Sequence, residues 1–152
     1  MNMHILLDNI RSAYNVGSFF RTADATGCTK LYLCGMTACP GNPKLSKTAL
    51  GATKTVEWEY FQKTTEAVDS LIERQIPVYA VELEKDAQNY REVDYPDEIA
   101  FVFGHEVRGI DQKIIDMCEK CVMIPMLGQK ESLNVATAAG IIMFNFLGSG
   151  KG

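Results

Sequence analysis

A chain of 152 residues, 47% apolar and 22% charged, has the length of one domain, enough to bury roughly two thirds of the surface exposed when unfolded. It holds no low-complexity tract, no repeat period, no basic-then-apolar leader and no apolar run near the roughly 20 residues a membrane helix needs, so fibrous, disordered and membrane-spanning classes are excluded and a cytoplasmic setting is expected. The net charge of −4 argues against a uniformly basic protein, yet residues 1–65 carry seven basic and four acidic side chains and residues 66–152 eight and fifteen, which reads either as a chance gradient or as a basic face built from the first half.

Met3 to Leu7 reads as a first strand. After the loop Asp8 to Tyr14, Asn15 is a suitable N-cap for a helix to Ala25, closed by Gly27 as C-cap. Lys30 to Cys34 is a second strand, and the resulting βαβ unit implies parallel strands and a right-handed crossover. Gly35 to Lys54, rich in Thr, Gly, Pro and Lys, is a long loop or a loop broken by one helix from Pro43 to Leu50. Val56 to Tyr60 is a short strand, Thr65 to Arg74 a helix with apolar face Ala67, Val68, Leu71 and Ile72, and Ile76 to Val81 a strand. The acidic segment Glu82 to Glu98 is expected to be solvated, with turns at Gln88-Asn89 and Tyr95-Pro96. Ile99 to Phe103 is a continuous apolar strand of the kind buried on both faces. Gly104 to Gly109 is its exit loop, Asp111 caps a short helix to about Cys118, and Cys121 to Ile124 is the last strand.

Pro125 cannot donate a ladder hydrogen bond and closes that strand. A polar loop with Gly128, Lys130 and Glu131 then leads to Ser132, read as the N-cap of an apolar helix that reaches Leu147. Strands and helices alternate throughout, which predicts an α/β fold: one open, mainly parallel sheet with helices on both faces, in a single domain over 1–152. Such sheets take ligands at the carboxyl ends of their strands. Gly104 to Glu106 and Pro125 to Glu131 fall there. No G-x-G-x-x-G follows the first strand and no G-x-x-x-x-G-K-[ST] occurs, so the usual dinucleotide and P-loop cradles are lacking. The five cysteines read as reduced thiols, and Cys34, Cys39, Cys118 and Cys121 are too loosely spaced for a zinc site, so no metal is expected.

Three segments lie in order at wide spacing: Asn15-Val-Gly-Ser-Phe-Phe-Arg21, Phe103-Gly-His-Glu106-Val-Arg-Gly109, and Ile124-Pro-Met126 with Ser132-Leu-Asn134. Together they resemble the three motifs of the SpoU, or TrmH-like, branch of the SPOUT RNA methyltransferases, over Leu6 to about Leu147. The resemblance implies a C-terminal trefoil knot, bound S-adenosylmethionine, and methyl transfer to a ribose 2′-hydroxyl of tRNA or rRNA. It also implies a homodimer through the C-terminal helix and the Asn15 helix; the separate N-terminal RNA-binding domain that many relatives carry is not expected in this chain, so RNA recognition is expected from the dimer surface. The alternatives are a knotted RNA-binding protein without catalysis and a SPOUT enzyme that methylates a base.

Carried onto this chain, the resemblance assigns Arg21 to the reacting ribose, with Asn15, Glu106, Ser132 and Asn134 beside it. Val81, Gly104, Ile124, Met126 and Leu133 surround the cofactor, largely through backbone groups. Outside its motif Arg21 reads as a helix arginine paired with Asp24 or Asp8, and Glu106 as a partner of Arg108 or Lys130. His105 is given a structural role. The last helix is apolar almost all round and must be covered on every side, which a homodimer explains better than core burial alone. RNA contacts are expected from Lys44, Lys47, Lys54 and Arg11.

Overall fold

The apolar runs become a seven-stranded, wholly parallel sheet in the computed structural model, which describes residues 1–150. Its elements in chain order are β1 (Asn2–Asp8), α1 (Ala13–Thr26), β2 (Lys30–Cys34), α2 (Pro43–Ala49), β3 (Trp58–Phe61), α3 (Thr64–Glu73), β4 (Val78–Val81), β5 (Gln88–Asn89), β6 (Glu98–Gly104), α4 (Gln112–Met117), β7 (Lys120–Met123) and α5 (Val135–Gly148), with a 3-10 turn at Ala52–Lys54. The spatial order is β3-β2-β1-β6-β4-β7-β5. Ile5 thus stands between Leu31 and Phe101, and Leu6 between Tyr32 and Val102.

Alternate side chains leave the sheet on opposite faces, and each face has its own core. Ile5, Leu7, Leu31, Leu33, Phe101 and Phe103 meet Val16, Phe19 and Phe20 of α1, Leu45 of α2, and Ile142, Met143 and Phe146 of α5. Leu6, Tyr32, Ala80, Ala100 and Val102 meet Ala67, Val68 and Leu71 of α3 and Ile114 of α4. Aromatic edges lock the first core: Phe19 packs edge-on to Phe103, and Phe146 edge-on to Phe101 and Tyr95. The alternative of a helix from Pro43 is the one adopted. Asn42 caps α2 by accepting from Lys44 and Leu45 N–H, and Pro43 takes the first turn, where a missing N–H costs nothing.

Four sequence expectations change. Helix α1 starts two residues before Asn15, because Ser12 is the N-cap and its Oγ accepts the Asn15 N–H. Helix α5 is capped by Asn134, whose Oδ1 accepts from Ala136 and Thr137 N–H, so Ser132 stays in the preceding loop. Gln88-Asn89 forms an edge strand on β7 instead of a turn. The segment 82–98 is not simply solvated either: Tyr90 and Val93 are buried, and Tyr95 packs on the core. Its charges face out while three apolar side chains anchor it. No helix among the described residues is long and apolar enough to cross a membrane.

Candidate active site

The exits of β1, β6 and β7 bring the three motifs together. Glu106, two residues beyond β6, accepts from the Arg11 N–H at 2.8 Å through one oxygen, and from the Ser12 N–H at 2.8 Å and Asn15 Nδ2 at 3.0 Å through the other. Those backbone donors belong to the start of α1, where free amides and the helix dipole favour an anion. Burial raises the Glu106 pKa, but the hydrogen bonds from Arg11, Ser12 and Asn15 together outweigh it and hold the carboxyl below its usual range. Glu106 is therefore an anionic clamp, not a base poised near neutrality. It pairs with neither Arg108 nor Lys130: among the described residues Lys30 alone of the lysines and arginines is paired with a carboxylate, that of Glu59.

Asn15 passes the connection on. Its Oδ1 accepts from Asn134 Nδ2 at 3.2 Å, while Asn134 Oδ1 caps α5. Glu106, Asn15 and Asn134 thus link the β6 exit loop to the first turns of two helices. Gly104 is required by the same loop. An added Cβ there would lie 2.5 Å from the Ile110 nitrogen, because the chain folds back through a bridge between His105 and Gly109. His105 Nδ1 accepts from both Val107 and Arg108 N–H at 3.1 Å, so its lone pair is committed to shaping the loop.

Beside this chain opens a cavity of about 390 Å³, within the range of small-ligand pockets. Val81, Gly104, Ile124, Met126 and Leu133 line it, as do Glu106, Ser132 and Asn134. Apolar side chains such as Val81, Phe103, Ile124, Met126 and Leu133 share the lining with polar groups, a mixture that suits an adenosyl group. Three carboxylates, Glu82, Glu106 and Glu131, lie in the lining without a lysine or arginine, which suits a ligand with positive charge and opposes a nucleotide phosphate. The residues present thus fit S-adenosylmethionine. Glu82 was missed from sequence, because it opens an acidic run that reads as solvated surface.

Arg21 is not gathered into this cavity. It lies six residues past Asn15, about 9 Å along the α1 axis, and is exposed. It pairs with neither carboxylate considered for it: Asp24 accepts from Thr55, and Asp8 from Thr64. Near these helices, Tyr14 is 44% exposed, Leu133 40%, Phe144 54% and Leu147 37%. The five cysteines are free, and burial pushes Cys28, Cys34 and Cys118 up to about 12, leaving them inert thiols. Among the described residues no cluster of three or more His, Cys, Asp or Glu is placed to hold a metal ion.

Residues 2–144 match the model of the SpoU rRNA Methylase family. The tRNA (guanosine(18)-2′-O)-methyltransferase of Thermus thermophilus is 35% identical over 143 residues, 94% of this chain and 73% of that protein. The 23S rRNA (guanosine(2553)-2′-O)-methyltransferase RlmP of Bacillus subtilis is 31% identical, over 95% of this chain and 57% of its own length. Among solved structures, the SpoU methyltransferase AviRb from Streptomyces viridochromogenes, in complex with the cofactor AdoMet, superposes with a TM-score of 0.87 at 26% identity, covering 95% of this chain and 58% of that one. With residues 2–144 of the chain matched by the family model, and a 35% identical relative covered over 73% of its length, the chain belongs to the SpoU rRNA methylase family.

Proposed function

We propose that this chain transfers the methyl group of S-adenosylmethionine to a ribose 2′-hydroxyl of transfer or ribosomal RNA, acting as a cytoplasmic homodimer. The observation that carries the reading is the polar chain Glu106, Asn15, Asn134, which fastens the start of α1 to the rim of a cavity suited to a cationic adenosyl ligand. The cofactor supplies a methyl group on positively charged sulfur, already attached to a good leaving group. The protein has mainly to align the hydroxyl and let its proton go. Val81, Gly104, Ile124, Met126 and Leu133, which line the cavity, would enclose the adenosyl part, with Ser132 and Asn134 toward its reacting end.

A guanidinium makes a poor base, so Arg21 acts through its charge. It pairs with the phosphate beside the reacting ribose and lowers the cost of the alkoxide, while a phosphate oxygen takes the proton. Its position outside the cavity of its own chain supports a site completed by the second subunit. The exposed Tyr14, Phe144 and Leu147 supply the apolar surface for that contact. Lys44, Lys47, Lys54 and Arg11 form the RNA face, where phosphate contacts position the substrate without reading its sequence. Strand β7 lies between β4 and β5, inside the circuit that runs from β4 through β5 to β6. That placement supports a C-terminal third threaded as a trefoil knot.

The test is methyl transfer from labelled S-adenosylmethionine into total tRNA and rRNA from a strain lacking the gene, with digestion to nucleosides. Both curated relatives act on guanosine, so 2′-O-methylguanosine is the product to look for first. Arg21→Ala should lower the rate by roughly 10²- to 10³-fold with cofactor affinity unchanged. Incorporation into a base would replace ribose chemistry with base methylation, and tight cofactor binding without incorporation would favour a non-catalytic RNA-binding protein.

A further inference from the structure

We infer that Glu82 holds the ribose of the adenosyl cofactor, its carboxylate accepting from the 2′- and 3′-hydroxyls; this rests on reading the cavity as the S-adenosylmethionine site. Glu82 directly follows β4, and its own N–H donates to the Val122 carbonyl at 3.1 Å, so its backbone is fixed to the sheet. The side chain is fixed as well. One carboxylate oxygen accepts the Ile110 N–H at 2.8 Å and the other the Leu83 N–H at 3.3 Å. Gly109 closes over it at a φ of +72°, where an added Cβ would lie 2.5 Å from the Glu82 oxygen. The turn is thus shaped around the carboxylate.

What remains is acceptor capacity facing the cavity. Each oxygen keeps a further lone pair, and Glu82 has no cationic partner among the described residues. Desolvating such a group under a ligand is costly unless the ligand brings donors. A vicinal diol brings two, spaced for the two oxygens of one carboxylate.

The sheet says which part of the cofactor this is. Strand β6 separates β4 from β1, so the exit of β4 stands roughly 10 Å, two strand spacings, from that of β1. The reacting methyl must lie near Asn15 and Asn134, on the β1 and α1 side. Glu82 therefore meets the adenosyl portion, whose ribose carries the diol.

Isothermal titration calorimetry with S-adenosylhomocysteine and its 2′-deoxy and 3′-deoxy analogues tests this without turnover. Wild type should bind each deoxy analogue roughly tenfold to a hundredfold more weakly than the parent, the worth of a hydrogen bond to a charged group. In Glu82→Gln the parent should weaken by about tenfold or more, and the penalty for removing a hydroxyl should shrink to about threefold. A deoxygenation penalty that survives unchanged in Glu82→Gln would make Glu82 a fastener of the 105–110 loop only and overturn the assignment. Wild type binding the deoxy analogues within about threefold of the parent would overturn it without any variant. Failure of wild type to bind S-adenosylhomocysteine would instead remove the reading of the cavity, and this assignment with it.

Discussion

At the scale of single residues, Glu106 is the group on which the site's geometry turns. Three N–H donors converge on two oxygens, an arrangement that only a carboxylate can satisfy. Glu106→Gln keeps the shape but sets an amide donor against a backbone donor, which should cost about 1–3 kcal/mol of stability at neutral pH. The pH dependence follows from the lowered pKa of the folded state. A carboxylate whose pKa is lower folded than unfolded contributes stability above its unfolded pKa and loses it as pH falls through the folded value. Urea titrations should therefore show the gap between wild type and Glu106→Gln narrowing as pH drops below the usual carboxylate range. A gap of constant size would mean that the charge of Glu106 contributes nothing to folding.

At the scale of elements, the periodic apolar runs were legible, and the boundaries that tertiary contacts decide were not. β1, β2 and β6 are legible to within a residue because each has a continuous apolar run, over residues 5–7, 31–34 and 99–103, of the kind that central strands of a parallel sheet bury on both faces. Ser132 and Asn134 are both good N-caps two positions apart, so local chemistry cannot choose. Asn134 caps α5 while its amide reaches Asn15 on α1, a contact invisible until the two helices are docked. The two-residue β5 and the anchoring of Tyr90, Val93 and Tyr95 were hidden by an acidic stretch. Gly17 was equally unreadable, since it serves a helix that the sequence left open. A Cβ there would lie 2.0 Å from Thr48 Oγ1 and 2.2 Å from the Leu45 carbonyl oxygen. Gly17→Ala should therefore push α2 off α1 and destabilise by about 1–3 kcal/mol. Adding Thr48→Ala should restore little, because the carbonyl remains; full recovery of the urea midpoint in the double variant would place the whole clash on the hydroxyl.

At the scale of the whole molecule, the question is whether one chain carries a complete site. The cavity and the Glu106–Asn15–Asn134 chain lie within one protomer, whereas Arg21 stands outside the cavity. In a twofold dimer each site would then join Arg21 of one subunit to Asn134 of the other. Arg21→Ala and Asn134→Ala should each be nearly inactive alone. Unfolded and refolded together, they form heterodimers in which one site carries both substitutions and the other carries neither. With random pairing half of the dimers are mixed, so methyl transfer should return to about a quarter of the wild-type rate. If both residues act from the same chain, every site in the mixture keeps one defect and no activity returns. Leu147→Glu, placed on the exposed face of α5, provides the matching physical test. It should yield a monomer by light scattering that still binds S-adenosylhomocysteine but no longer methylates RNA, because it retains the cavity and lacks the partner's arginine.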